Sequence, residues 1–172
     1  LDVNYHDSEW GKLVTDDKVL FEFLVLESAQ AGLSWITILR KRNGYREAFC
    51  NFEAEKVAQM GEADVERLVQ FGGIVRNRLK IGATISNARL FLEIRKEFGS
   101  FYNYTLTFFP ENKPIVNHFT SLSEIPVSSP QSDAMSRDMK KRGFKFFGTT
   151  ICYAHLQATG FINDHLMDCI CR

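Results

Sequence analysis

A histidine lies close to each end of the sequence, and two cysteines lie close to the C-terminal end. His165 and Cys169 lie four residues apart in NDHLMDC, and His6 lies in YHDSEWG at the opposite end. If NDHLMDC begins a short helix, both side chains leave from one face, because four residues make about one turn. Imidazole and thiolate are ligands that zinc favours. The pattern indicates a zinc ion that connects the N-terminal and C-terminal segments. Its fourth ligand would be Cys171, water or a residue upstream of Leu1.

A glutamate continues the apolar side of a predicted helix. In TDDKVLFEFLVLESAQAG we expect Thr15 to be the N-cap and Gly32 to end the helix. The apolar residues at helical spacing are Leu20, Phe23 and Leu24. The next position of this stripe is Glu27. A helix-end glutamate usually reaches water, but here a second helix with Trp35 in its first turn follows directly.

Three aromatic residues can form the walls of a cavity around this carboxylate. Trp35 follows the break after Glu27, and Tyr5 and Trp10 flank His6. Such a cavity suits a flat ligand that is cationic or donates hydrogen bonds. The alternative for each aromatic residue is ordinary packing in the core.

A glycine pair joins two further predicted helices in VERLVQFGGIVRNRLKI. Gly72 and Gly73 form the turn, and Arg76, Arg78 and Lys80 follow it. Backbone N–H groups at a helix start can bind phosphate, and the basic residues would add charge. Other basic clusters occur at 40–42 and 140–145, so a nucleic-acid backbone is a reasonable partner. The alternative is an ordinary helix connection with a solvated basic face.

Composition and periodicity set the class of protein. The chain has 172 residues, 45% hydrophobic and 24% charged, with 21 basic and 21 acidic side chains. We predict one all-α domain over 1–172, with the hairpin at about 62–90 and terminal zinc-binding segments at 1–15 and 160–172. Four scattered cysteines favour a reducing compartment, and no apolar run reaches membrane-helix length. We expect a cytoplasmic monomer without membrane contact.

The remaining elements follow from periodicity and breakers. Segment 100–128 is predicted to be mostly loop, and only FKFFG resembles a strand. Further helices are predicted for the stretches SWITILRKR, FEAEKVAQM, EADVERLVQ, RNRLKIGATISNARLFLEIRKEFG, SPQSDAMSRDMKKRG and TTICYAHLQATG.

Several long segments resemble one known family, the type I DNA-3-methyladenine glycosylases of the helix-hairpin-helix superfamily. The match runs in register from residue 5 to the end. The segments that carry it are YHDSEWG, LESAQAGLSWITILRKR, GGIVRNRLKIGATISNAR, KKRGFKFFGTTICY and NDHLMDCICR. The resemblance implies an all-α helix-hairpin-helix fold and a base-excision repair enzyme that acts on alkylated double-stranded DNA.

The resemblance also implies roles for individual residues. Glu27 corresponds to the carboxylate that recognises the base, and Leu33 to the residue that fills the gap in the duplex. The implied pocket aromatics are Tyr5, Trp10 and Trp35. The implied ligands of one structural zinc ion are His6, His165 and Cys169. The family's fourth ligand is a cysteine before the YHD histidine, and residues 1–5 contain none.

The implied chemistry is removal of 3-methyladenine without lyase activity, with the free base as product. Methylation at N3 makes the base cationic and its sugar bond weak, and extrusion of a poorly paired base costs less. No aspartate lies between Asp64 and Asp133 to activate water, which fits a labile substrate. Two alternatives remain: a zinc-dependent hydrolase with Glu27 as general base, or a DNA-binding module without catalysis.

Overall fold

The structure is a computed structural model that describes residues 1–171, and most of these residues are helical. Its α-helices are α1 (Asp2–Ser8), α2 (Asp17–Ala29), α3 (Trp35–Arg40), α4 (Arg42–Ala48), α5 (Ala54–Val57), α6 (Glu62–Leu68), α7 (Arg78–Phe98), α8 (Phe101–Leu106), α9 (Pro130–Arg142) and α10 (Thr149–Ala158). Short 3-10 turns lie at Cys50–Phe52, Pro110–Asn112 and Leu122–Glu124. Two short strands, β1 (Ile115–Val116) and β2 (Ile162–Asn163), pair in parallel.

Helix α2 runs through the centre of the core. Its residues 20–29 are all buried, and it packs against α7, α8 and α10. The N-cap predicted at Thr15 is wrong, because the side chain of Asp16 accepts the bond from the Lys18 amide at 3.0 Å. Since every face of α2 is covered, the apolar stripe does not by itself single out Glu27.

Helix α7 is the longest element, and a tight turn joins it to α6. Its 21 residues extend over roughly 31 Å. Asn77 caps its start and Gly99, with φ 86, ends it. The helix, glycine turn and second helix expected near 62–90 are therefore present. Within residues 1–171, no helix combines the length and the apolar character needed to cross a membrane.

Two predicted elements are wrong, and three short helices were not predicted. FKFFG is irregular, with Phe146 at φ 57, and NDHLMDC contains the end of β2 followed by turns. The unpredicted helices are α1, α4 and α8, the last inside the expected loop 100–128. Each short helix buries an aromatic residue: Tyr5 in α1, Tyr45 in α4 and Phe101 in α8. Tertiary packing of these rings stabilises helices too short to form alone.

Candidate active site

The carboxylate and the three aromatic residues singled out from the sequence lie around one cavity. This cavity of about 240 Å³ is lined by Tyr5, His6, Trp10, Glu27 and Trp35, together with residues of α10. The rings of Tyr5 and Trp35 are 5.5 Å apart between centroids and inclined at 53°. Helix α1, missed by periodicity, brings Tyr5 against the end of α2. The cavity can therefore hold one flat heterocycle between aromatic walls and a carboxyl group.

Three polar groups that face this cavity, on Glu27, Tyr5 and Trp35, have no hydrogen-bond partner within the described chain. Glu27 is only 4% exposed, and burial raises the pKa of its carboxyl to about 8. The Tyr5 hydroxyl and Trp35 Nε1 are also buried without a hydrogen bond among residues 1–171. An unsatisfied buried polar group typically costs about 1–3 kcal/mol. A ligand offering donors and acceptors would remove part of that cost.

Arg42 fixes the aromatic wall to the rest of the molecule. Its guanidinium donates to both carboxylate oxygens of Glu9 at 2.8 and 2.9 Å, and to Glu22 at 2.8 Å. Glu9 directly follows α1, Glu22 lies on α2 and Arg42 begins α4. The bonds therefore connect three elements around the cavity. Sequence reasoning assigned this arginine to a basic cluster, because its partners lie 20 and 33 residues away.

The three predicted metal ligands also come together. One donor atom each from His6, His165 and Cys169 lies within 4.8 Å of the others. Nε2 of His165 donates to the Trp10 carbonyl at 2.9 Å, and Nδ1 lies 3.4 Å from Cys169 Sγ. A carbonyl partner on one ring nitrogen fixes the tautomer that leaves the other nitrogen to face a metal. The donor set and this orientation fit zinc.

The proximity of His165 and Cys169 does not come from a helix. The Cys169 amide donates to the Leu166 carbonyl at 2.9 Å in a turn. Gly11 lies against the imidazole, since a Cβ at this position would come within 2.6 Å of His165 Nε2. Cys171, the alternative fourth ligand, falls in a different group, with His6 and Asp7.

The glycine turn presents free backbone amides. The N–H groups of Gly73, Ile74 and Arg76 donate no hydrogen bond within residues 1–171. A Cβ on Gly44 would come within 1.9 Å of the Gly73 carbonyl oxygen, so the turn packs directly on the α4 backbone. Successive free amides in a rigid turn form a concave site that suits an anion. The predicted role of Gly72 and Gly73 in phosphate binding remains a prediction.

The basic residues near the turn are not equally available. Arg76 is exposed, whereas Arg78 donates two bonds to Glu66 at 2.7 and 2.9 Å. Nζ of Lys80 donates to the carbonyls of Ala29 and Ala31 at 3.1 and 2.6 Å. Binding of phosphate by Arg78 or Lys80 would compete with these bonds.

Lys80 instead connects the start of α7 to the loop that carries Leu33. This loop leaves α2 through Gly32 at φ 78, and the Leu33 side chain is 39% exposed. Leu33 therefore projects from a loop held at its base by a lysine from the hairpin.

Comparison with known proteins identifies the family. The methyladenine glycosylase family matches residues 1–172. The chain belongs to this family. It is similar to the DNA-3-methyladenine glycosylase 1 of Escherichia coli (strain K12), with 53% identity over 169 residues, 98% of this chain and 90% of the relative. The family predicted from the sequence is confirmed.

Solved structures show the same fold. A variant of 3-methyladenine DNA glycosylase I with tyrosine changed to phenylalanine, in complex with 3-methyladenine, has a TM-score of 0.95 and 40% identity over 98% of this chain and 90% of its own. A glutamate-to-glutamine mutant of 3-methyladenine DNA glycosylase I from Staphylococcus aureus has a TM-score of 0.94, with the same identity and coverage.

Proposed function

We propose that the chain is a monofunctional DNA glycosylase that flips 3-methyladenine out of alkylated double-stranded DNA and hydrolyses its bond to deoxyribose. The observation that carries the proposal is the buried carboxyl of Glu27, which has no hydrogen-bond partner among residues 1–171 and faces Tyr5 and Trp35, in a member of the methyladenine glycosylase family. The complex of a relative with 3-methyladenine supports the choice of base. The solved variants of relatives also change a tyrosine and a glutamate, the residue types that face this cavity.

The substrate supplies much of the driving force. The methylated base is cationic, so when its bond to the sugar breaks it takes the bonding electron pair and leaves neutral. Water adds to the sugar carbon and releases a proton. Trp35 and Tyr5 would stack on the base, which favours a cationic ring. Glu27 would accept hydrogen bonds from the exocyclic amino group. In this assignment Glu27 recognises the base rather than activating water.

The hairpin and the Leu33 loop would hold the duplex during this step. The free amides after Gly72 would bind a phosphate, and exposed Arg76 would add positive charge. Leu33 would fill the space that the extruded base leaves in the stack. Helix α6, the turn and α7 would then act as a helix-hairpin-helix unit. We expect these contacts to be made by a monomer.

We also propose one structural zinc ion bound by His6, His165 and Cys169. These residues would tie the segment before α2 to the segment after α10, and bound zinc would supply a cross-link rather than a reactive centre. Cys169→Ser is expected to lower the metal content and the thermal midpoint. Elemental analysis of the full-length protein without stoichiometric metal would refute the site.

The rival zinc hydrolase keeps Glu27 as a general base. His6 lines the same cavity as Glu27, so proximity alone does not separate the two functions. Family membership favours the glycosylase, and His165 is only 2% exposed. Chelation distinguishes them: a structural metal is lost with unfolding, whereas a hydrolase would lose rate and remain folded. The third alternative, a DNA-binding module, predicts no release of bases.

The deciding experiment is a release assay on methylated duplex DNA, with the freed bases separated by chromatography. We expect 3-methyladenine in the soluble fraction and intact strands until alkali is added, because no lyase step is involved. Absence of released 3-methyladenine from folded, metal-loaded protein would refute the proposed function. Strand cleavage without alkali would refute its monofunctional character.

A further inference from the structure

A second cleft lies outside the cavity that contains Glu27. It has a volume of about 790 Å³ and lies between α9 and the segment 144–149. Three of its lining residues are basic and exposed: Arg137, Lys140 and Lys145. None of the three forms an ion pair with a carboxylate in the part of the chain that is described.

The charge of this cleft is unbalanced in a protein with no net charge. Its one lining carboxylate, Asp133, accepts a hydrogen bond from Thr149 Oγ1 at 2.6 Å. Neighbouring Arg142 is neutralised differently, by Glu97 and Asp138, each at 2.8 Å. Three basic side chains against one carboxylate therefore give the cleft a net positive charge, and a concave basic surface raises the local concentration of anions.

The segment that carries Lys145 is held rigidly. Asn87, 1% exposed, donates to the Lys145 carbonyl and accepts from the Lys145 amide, both at 3.0 Å. Phe144 and Phe147 are buried on either side. Between them Phe146 has φ 57 and remains 36% exposed. A bulky residue at positive φ is rare and costs energy, and such strain concentrates at functional sites.

The cleft is continuous with the predicted DNA-facing side. Leu79, 74% exposed at the start of α7, lines it, and α7 is the helix that follows the glycine turn. Phe146 also lines a small space with Ala29 and Lys80, and Lys80 holds the base of the Leu33 loop. The turn, the loop and the cleft therefore meet at the first turn of α7.

We propose that this cleft binds the phosphodiester backbone of the DNA that flanks the extruded base. Arg137, Lys140 and Lys145 would contact phosphates, and Phe146 would pack against a sugar or base edge. The proposal rests on the proposed glycosylase function, since it needs DNA on this side of the molecule. DNA is favoured over a small anion because the basic groups are spread over a cleft much larger than one phosphate.

The test uses the full-length protein and a duplex with a stable abasic-site analogue. Fluorescence anisotropy would give the dissociation constant across about 50–200 mM salt. For Arg137→Ala, Lys140→Ala and Lys145→Ala combined, we expect at least roughly tenfold weaker binding. The slope of log affinity against log salt should become shallower by about 0.9 for each lost phosphate contact. Phe146→Ala should weaken binding without changing the slope.

Lys96→Ala provides the matched control, because Lys96 is exposed on α7 about 24 Å along the helix from Lys80. It should leave both affinity and slope unchanged. An unchanged slope in the triple variant, or an equal change in Lys96→Ala, would overturn the cleft assignment. The binding assay needs no excision. A wild-type protein that releases no 3-methyladenine would therefore refute the proposed function by a separate result.

Discussion

Two glutamates on α2 are both buried, but their surroundings are opposite. Glu22 is 8% exposed and accepts hydrogen bonds from Arg42 at 2.8 Å and Arg46 at 3.3 Å. Glu27 is 4% exposed, faces a cavity and has no partner among residues 1–171. A buried carboxylate with cationic partners holds elements together, whereas one without partners in a cavity is arranged for a ligand. The comparison separates a structural site from a binding site on one helix.

The largest expected effect is on stability, at the paired glutamate. Glu22→Gln removes the anion between two arginines and leaves Arg42 with Glu9 alone. Breaking a buried ion pair typically costs 3–5 kcal/mol, and the retained Glu9 bonds put the expected loss near the lower end, about 3 kcal/mol. Urea denaturation would measure it. Affinity for free 3-methyladenine should change less than about twofold. A base affinity that falls in proportion to stability would contradict the division between the two sites.

The unpaired glutamate should show the converse result. Glu27→Gln keeps the shape but removes the charge, and a charge-assisted hydrogen bond is worth about 1.5–3 kcal/mol. Above about pH 8, where Glu27 is ionised, we expect roughly ten- to a hundredfold weaker binding of 3-methyladenine, slower excision and an intact fold. Glu27→Ala should be worse because it also leaves a hole. The measurements are calorimetric titration and single-turnover release. Normal binding of the base with complete loss of excision would instead make Glu27 a chemical catalyst.

The pH dependence follows from the raised pKa of Glu27. With a pKa of about 8 in the free protein, the neutral acid predominates at pH 7, and attraction to a cationic base needs the carboxylate. At subsaturating protein, where the free form is measured, single-turnover excision should therefore rise with pH up to about pH 8 and level off above it. The whole rise should not exceed the roughly ten- to hundredfold loss expected for removal of the charge. In Glu27→Gln this rise should be absent. The same rise in the variant would assign the titration to another group.

Stability should respond to pH in the opposite direction. The folded protein holds the Glu27 proton more tightly than the unfolded chain, so this carboxyl contributes most stability below the unfolded pKa of about 4.3. That contribution is lost as pH rises towards the folded pKa of about 8. The difference in unfolding free energy, Glu27→Gln minus wild type, should therefore increase as pH rises from about 5 to about 8. A parallel pair of stability curves would show that Glu27 titrates normally.

How much the sequence could predict depends on how far apart the interacting residues lie. Glu27 and Trp35 flank one helix break, so their shared cavity was predictable from local pattern. The local pattern does not show that Glu22 is paired while Glu27 is not, because the partners of Glu22, Arg42 and Arg46, lie 20 and 24 residues away. A local pattern gives the charge of a side chain but not the distance to its partner.

The errors have the same physical origin. His165 and Cys169 are close, as predicted, but a turn rather than a helix brings them together. Helix α1 depends on the burial of Tyr5 by the body of the molecule, which no seven-residue window contains. The phosphate contact of Lys80 stays a prediction, but its two carbonyl partners, 49 and 51 residues away, give it a second role that the local pattern does not show.

The smallest expected effect tests whether Lys80 positions the Leu33 loop or binds phosphate. Lys80→Met removes two hydrogen bonds from the base of the Leu33 loop but leaves Glu27 and the aromatic walls in place. The Leu33 side chain would lose its fixed position. Excision from duplex DNA should therefore fall roughly three- to tenfold, because small errors of position are costly in catalysis. The affinity for free 3-methyladenine should remain unchanged.

Lys80→Arg is the control that separates positioning from phosphate binding. Arginine keeps the charge and can donate to two carbonyls, so it should restore part of the excision rate. The slope of duplex affinity against salt should stay the same in both variants, because a lysine bonded to carbonyls neutralises no phosphate. If Lys80→Met instead makes this slope shallower by the amount expected for the loss of one phosphate contact, Lys80 binds phosphate in the complex. In that case Lys80 would give up its two hydrogen bonds to carbonyls when DNA binds. It would then act as part of the phosphate-binding hairpin and would not position the Leu33 loop.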